Sequence, residues 1–470
     1  MEQIKVSEMV AALSYALDLT EGQPMGHSAR SCVLGMRIAA EIGMSVADRA
    51  DLYYALLIKD AGCSSNASRL FHIIAGDEIR AKRDVKTTDW TKVGFESLQY
   101  AVSHVAVGKP FVERVATLAR VAANRVSDSG ELVKIRCERG ASVARRMGFS
   151  EQVAAGIHSL DEQWNGGGYP DHLRGRDIPL FSRIALLAQT LEVFWREMGA
   201  DRAVKVARER AGRWFDPDLA TAVESLAERE ALWPGLDSST LLEDVWALEP
   251  VEMRLMLTEA RMDEICLAFA EVVDAKSPFT YRHSTGVADA AVAIARTLGM
   301  DTNEITLIRR AALLHDIGKL SVPNSILEKP AKLDAHEWDV VKKHPHYSHE
   351  ILRRIPGFGQ LSEIAASHHE RLDGKGYFRS YDAERLDVPS RILAVADVYD
   401  ALAAKRPYRD ALPPEMVMGI MKKDAPHALD AECLEALAAS SSRSLAQLAQ
   451  EIGTKEVSAS VPVCYSAVTL

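Results

Sequence analysis

A chain of 470 residues, 47% of them apolar, has enough material for two or more packed domains. A net charge of −10, a pI of about 5.8 and the lack of any long Lys/Arg block exclude general attraction to a nucleic-acid polymer or an anionic membrane. The six cysteines are scattered with no C-x-x-C pair, and there is neither a basic-then-apolar leader nor a membrane-length apolar run, so a cytoplasmic protein is expected.

The stretches 33–42, 112–123, 203–210, 253–273, 287–298 and 392–404 are rich in Ala, Leu, Arg and Glu with apolar residues at three- and four-residue spacing. That period predicts helices almost throughout, and alternating strand patterns are nearly absent. The cationic run Arg80-Ala-Lys82-Arg83 reads as a solvated loop. Pro234, Gly235 and the cluster Asp237-Ser-Ser-Thr240 interrupt the helical pattern, which puts a linker at 231–250.

The chain repeats itself. Gly26-His27-Ser28 lies 32 residues before Lys59-Asp60, and Arg282-His283-Ser284 lies 32 residues before His315-Asp316. Gly166-Gly167-Gly168-Tyr169-Pro170 answers Gly374-Lys375-Gly376-Tyr377-Phe378, and the stretch starting at Pro179 answers the one starting at Pro389. The expected organisation is two copies of one helical domain, at 1–230 and 251–440, with an insertion of about 48 residues in the first copy at about 76–135. A C-terminal helix and tail would occupy 441–470.

The copies differ where chemistry would lie. Motif on motif, His315 corresponds to Lys59, His344 to about Arg136, His368 and His369 to Leu160 and Asp161, and Asp397 to Gln189. Fixed Lys and Arg charges stand where a dication would sit, so the first copy is expected to hold no metal pair and to serve a structural or regulatory role. The second copy carries nine of the fourteen histidines. His283, His315-Asp316, His344, His368-His369 and Asp397 fall on helices 20 to 35 residues apart, the way a bundle gathers ligands onto one interior site. A His-Asp pair closing the apolar run 307–314, with Lys319 on the same helical face as Asp316, points to metal-assisted chemistry on a phosphate. Nitrogen and oxygen ligands without thiolates suit Fe, Mn, Zn, Ni or Co.

Together, His315-Asp316-x-Gly318-Lys319, Lys342-x-His344-Pro345, His368-His369-Glu370-x-x-x-Gly374-x-Gly376-Tyr377 and Arg391-Ile-Leu-Ala-Val-Ala-Asp397-x-Tyr399-Asp400 resemble the HD-GYP family. This is a branch of the HD phosphohydrolases that hydrolyses cyclic dinucleotides, chiefly cyclic di-GMP. The resemblance covers about 255–435 and implies an all-α fold of tandem HD-type helical bundles, the first degenerate and the second catalytic. It also implies two divalent metal ions, with Fe or Mn ahead of Zn, Ni or Co. His283, His315 and Asp397 would hold one, His344, His368 and His369 the other, with Asp316 bridging. By the same resemblance Lys319 contacts the scissile phosphate, and Gly376 and Tyr377 shape the substrate loop. Arg406 and Arg409 are candidates for the second phosphate or the guanine faces, or else surface residues pairing with Asp400. Glu370 is expected to orient a ligand imidazole.

Two departures matter. Phe378 replaces the motif's proline, which should change the lip of the site more than its metals. Phe279 stands where three-metal relatives carry a Glu, which favours two ions. His336, His346 and His349 fall outside the motif positions and read as solvated or supporting residues. Three functions compete: a cyclic di-GMP phosphodiesterase giving pGpG or GMP, an HD phosphohydrolase acting on another nucleotide such as cyclic GMP-AMP, and a catalytically silent nucleotide-binding or scaffold protein. A homodimer and GGDEF-type signalling proteins are the candidate partners.

Overall fold

The computed structural model describes residues 4–88, 95–405 and 410–440, with only the backbone described for 95–97 and 125–129. Arg406, Arg409 and the 441–470 segment therefore lie outside the described residues. Apart from three isolated bridges, every regular element among the described residues is a helix, which is the all-α class expected. No helix among them is long and apolar enough to cross a membrane.

The two halves use the same local devices. The helix His27–Glu41 packs on Leu180–Met198, as His283–Thr297 packs on Val388–Ala403. Each histidine helix opens the same way: Asp18 Oδ1 accepts from the backbone N and Oγ of Ser28, and Asp274 Oδ1 accepts from the same two atoms of Ser284. These carboxylates satisfy donors left free in the first turn. A close backbone crossing also recurs. A Cβ on Gly62 would fall 1.9 Å from the Arg136 carbonyl oxygen, and one on Gly318 would fall 2.0 Å from that of His344, so only glycine fits at either position.

A single apolar core runs through both halves, from Leu13, Leu34 and Phe194 to Phe269, Leu314 and Ile392. The first helix, Val6–Thr20, contacts the turn Ile317–Ser321 and the helix His344–Leu352 of the second half. Just ahead of it, Val6 N donates to Leu255 O at 2.9 Å and Leu257 N to Ile4 O at 2.9 Å. This pairing holds 254–257 extended, so the helix expected over 253–273 begins only at Glu259. The 231–250 stretch contains the helix Leu241–Leu248, packed on Val6–Thr20 and His27–Glu41. After it, the buried Glu249 accepts from Ser7 Oγ at 2.6 Å and Tyr54 Oη at 2.5 Å.

Within 76–135 lie the helices Glu78–Val85 and Phe95–His104 and the greater part of Phe111–Arg146. The reading of Arg80-Ala-Lys82-Arg83 as a solvated loop is corrected here. It is helical, capped by Asp77, and Lys82 is buried because its ammonium donates to Cys63 O and pairs with Glu21 at 3.6 Å. The same helix ties the halves together. Glu78, fully buried, accepts from Asn324 N at 2.9 Å and lies 3.5 Å from the Nζ of buried Lys276.

Replacing Glu78 with alanine leaves that ammonium and the Asn324 N–H without an acceptor in the core. The expected loss is about 3–5 kcal/mol, read as a lower denaturation midpoint of the whole chain. A midpoint unchanged from the parent would contradict this account of the junction.

Candidate metal centre

Asp301 and Glu304 form a reciprocal cap that starts the helix Thr302–Leu314, whose Ile308, Ala311, Ala312 and Leu314 are buried. The sequence reading carried this helix through Lys319. It ends instead at Leu314, and Ile317–Ser321 is a 3-10 turn. The break follows from the crossing at Gly318. Ser348 Oγ donates to the His315 carbonyl at 2.6 Å and accepts from Gly318 N at 3.0 Å, meeting the backbone groups that the helix end leaves free. Lys319 still lies beside Asp316, with Nζ 2.5 Å from Oδ2.

Four helices bring the remaining residues to this point. His283 opens its helix after Arg282, which has φ of 60°. His344 begins His344–Leu352, with Pro345 in the first turn. His368 and His369 follow Gly359–Ala366, and Asp397 lies buried on Val388–Ala403. The Nδ1 atoms of His315, His344 and His368 each meet the carbonyl three residues earlier, at 2.7, 2.7 and 2.6 Å. A carbonyl accepts only from N–H, so in each ring Nε2 is left as the donor atom facing inward.

The centre is organised by Asp316. Its Oδ2 lies 3.5 Å from His283 Nε2 and 3.3 Å from His315 Nε2, while Oδ1 lies 3.3 Å from His344 Nε2 and 3.5 Å from His368 Nε2. Asp397 Oδ1 stands 3.2 Å from His283 Nε2 and 3.8 Å from His315 Nε2. The ligand atoms of His283, His315 and Asp397 all lie within 4.8 Å of one another, as do those of His344, His368 and His369. These are the two sets expected from the resemblance, with a carboxylate oxygen turned toward each.

The residues fit bound cations. His283 Nε2, His315 Nε2 and Asp316 Oδ1 are buried with no hydrogen-bond partner. His344 Nε2 and His368 Nε2 face each other at 3.0 Å with both Nδ1–H groups already committed, so two lone pairs oppose unless a positive charge stands between them. Protons can meet part of this need. Burial alone would drive His315 toward neutrality, but the carboxylates of Asp316 and Asp397 outweigh it and lift the imidazole to about 9; His283 is likewise held well above its usual value. Burial lowers His344 to about 4, and also lowers His368 and His369.

Asp400 is the group that sequence reasoning missed. Its Oδ2 meets His283 Nδ1 at 2.6 Å, fixing the ring with Nε2 inward, and a Cβ on Gly286 would sit 2.1 Å from its Oδ1, so glycine at 286 makes room for it. The signal was available in the repeat, because Glu192 holds the same station and pairs with His27 Nδ1 in the first half.

Glu370 is corrected. It bonds no imidazole, because its carboxylate accepts from the backbone N of Arg379, Ser380 and Tyr381 at 2.7, 3.2 and 3.0 Å and so ties down the Gly-Tyr loop. Glu162 does the same for the first loop, accepting from Asp171 N. Gly376 lies against the His369–Glu370 backbone, and the Tyr377 ring packs on His369 with centroids 4.6 Å apart. Phe378 has φ of 99°, a conformation closed to proline, and its ring packs beside His346, His349 and the Arg379 guanidinium.

The first half has the same frame filled differently. Lys59 pairs with Asp60, Arg136 with Asp161, and Lys86 with Glu21 at 3.2 Å. Glu21, Asp60 and Cys63 lie within 4.8 Å of one another, but these ammonium groups already meet the carboxylates, and burial holds the Cys63 thiol well above its usual value. A metal needs that thiol ionised, so the cluster reads as an ion-pair core.

A family model described as HD domain matches residues 113–219 and 268–433. The 3'3'-cGAMP-specific phosphodiesterase 3 of Vibrio cholerae serotype O1 is 43% identical over 432 residues, which cover 92% of this chain and 94% of that protein. A crystal structure of a cyclic GMP-AMP specific phosphodiesterase of V. cholerae matches with a TM-score of 0.65 and 39% identity, covering 93% of this chain and 98% of that one. A cyclic di-GMP phosphodiesterase response regulator of Xanthomonas campestris pv. campestris is 35% identical over 211 residues, 43% of this chain and 54% of that protein. The chain belongs to the HD domain family. The relatives named here are phosphodiesterases, and this HD protein is accordingly a hydrolase, with candidate metal-ligand groups in its second half.

Two expectations follow for the HD centre. Asp400→Ala frees the His283 ring and should weaken metal affinity about 10–100-fold, measured by chelator competition; unchanged affinity would contradict an orienting role. Metal also has to displace the proton that His315 holds below about 9 and the one on His283, which the neighbouring carboxylates hold well above its usual value. Loading should therefore release protons at neutral pH, and affinity should rise with pH from about 6 to about 9. Uptake that is independent of pH between 6 and 9 would contradict the charge assignment.

Proposed function

We propose that the second half is a phosphodiesterase that opens a cyclic dinucleotide by hydrolysis, with 3'3'-cyclic GMP-AMP as the first substrate. The observation that carries the reading is the Asp316 carboxylate, with one oxygen toward His283 and His315 and the other toward His344 and His368. Such an arrangement suits two divalent ions; ligands of nitrogen and oxygen only are compatible with Fe, Mn, Zn, Ni or Co, and the HD-GYP resemblance puts Fe or Mn first. Bound there, they would supply Lewis acidity to the phosphate and lower the pKa of water.

The chain's own residues supply the rest. His283, His315 and Asp397 make one ligand set, His344, His368 and His369 the other, and Asp316 belongs to both. Lys319, at 17% side-chain exposure and beside Asp316, offers its ammonium to the phosphate oxygens as negative charge builds during attack. Water adds to phosphorus, one P–O ester bond breaks and the leaving oxygen takes up a proton, giving the linear dinucleotide. Tyr377, packed on His369, is positioned to line the substrate side of the loop that Glu370 anchors. In this reading the 1–230 copy is a non-catalytic domain, with its ammonium groups in place of ions.

Cyclic GMP-AMP is put ahead of cyclic di-GMP, reversing the order of the sequence reading, because the relative spanning nearly the whole chain is named for it. Cyclic di-GMP is the second reading, favoured by the regulator that matches 43% of this chain. The test is product chromatography from both substrates with metal-loaded protein, using Asp316→Ala as the blank. The expected result is faster turnover of 3'3'-cyclic GMP-AMP and no product from the variant. Preference for cyclic di-GMP would reverse the ranking, and turnover by the variant would sink the assignment of the centre.

A further inference from the structure

A cleft of about 670 Å³ opens between the two halves, and no residue of the metal centre lines it. Its volume lies within the roughly 300–1,000 Å³ of small-molecule sites. The helix Ala67–Ile74 forms one wall with Ser68, Arg69 and His72, and Arg120 on Phe111–Arg146 forms a second. The segment before His283 forms a third with Ser277 and Tyr281.

Most of the charge here is already spent. Arg69 is bound by Glu131, with Nη2 to Oε2 at 2.6 Å, and Ser68 and His72 share Glu328 at 3.1 Å each. Arg120 differs, since its guanidinium is exposed and has no carboxylate partner among the described residues. Tyr281 is 78% exposed, with no ring or hydrogen-bond partner among them. An unpaired guanidinium and an unpacked aromatic ring on separate walls of one cleft match a ligand with an anionic end and a planar end. We infer that this cleft binds a nucleotide, its phosphates toward Arg120 and its base against Tyr281.

The third wall connects the cleft to the metal centre. Thr280 Oγ1 donates to the carbonyls of Asp274 and Ser277 at 3.0 and 2.9 Å, and Asp274 caps the helix that begins with His283. A ligand resting on Ser277 and Tyr281 thus bears on the segment that sets His283, and its occupancy should change the rate of hydrolysis. That effect on rate rests on the phosphodiesterase reading; the binding itself does not.

The test is calorimetric titration of the full-length, metal-loaded protein with GTP, ATP and pyrophosphate, repeated on Arg120→Glu and Tyr281→Ala. Both side chains are exposed, so folding and metal content should match the parent. One nucleotide per chain is expected, bound at least about tenfold more weakly by each variant, a loss of about 1.4 kcal/mol, with pyrophosphate weaker than either nucleotide. No nucleotide binding up to millimolar concentration would overturn the proposal. Equal binding by both variants would do so too, since it would put the ligand at the metal centre, and pyrophosphate binding as tightly as GTP would remove the role of the ring. Intact binding with no hydrolysis of either cyclic dinucleotide would count against the phosphodiesterase reading alone.

Discussion

One buried carboxylate organises this protein. Asp316 is almost fully inaccessible, and its two oxygens face two separate sets of imidazoles. Burial raises the cost of its charge, yet the surrounding imidazoles and Lys319 hold it well below the usual carboxylate range. Nearly every local device described above serves to keep that carboxylate and its neighbours in place. The crossing at Gly318 and the Ser348 hydroxyl turn the chain at His315, backbone carbonyls fix three rings, and Asp400 fixes a fourth. Without compensating positive charge, a cluster of this kind is strongly unfavourable in a protein interior.

The two halves solve the same electrostatic problem in different ways. Both keep the capped histidine helix, the glycine crossing, the carboxylate on the histidine Nδ1 and the glutamate under the Gly-Tyr loop. In the first half Lys59, Lys86 and Arg136 provide positive charge that is covalently part of the chain. The second half has imidazoles where the first has Lys59 and Arg136, and its His283 Nε2, His315 Nε2 and Asp316 Oδ1 lack hydrogen-bond partners, as His27 Nε2 and Glu21 Oε1 do in the first half. A frame can therefore persist while the source of its positive charge changes, and on the proposed reading only the second half would hold ions that offer Lewis acidity to a substrate.

Much of this was legible in the sequence because it depends on residue type at fixed spacing. Nitrogen and oxygen ligands recurring on successive helices identified the cluster, and the repeat exposed which ligand positions had become Lys or Arg. Contacts formed by side chains turning back on the backbone were not legible. Glu370 reads as an imidazole partner from its position beside His369, but three backbone N–H groups in its own loop claim it. Lys82 reads as solvated within a basic run, while its reach to Cys63 O and Glu21 depends on how two distant helices pack. The end of the helix at Leu314 was hidden because Gly318 alone does not show in the sequence that the His344 backbone of a neighbouring helix crosses there.

The most direct test of the central claim is anomalous diffraction from crystals of anaerobically purified, metal-loaded protein. Two peaks about 3.5–4 Å apart are expected, one on each side of Asp316, with none beside Glu21, Asp60 and Cys63. A single peak, or occupancy in the first half, would contradict an account in which Asp316 joins two cations and the first half has replaced them with its own.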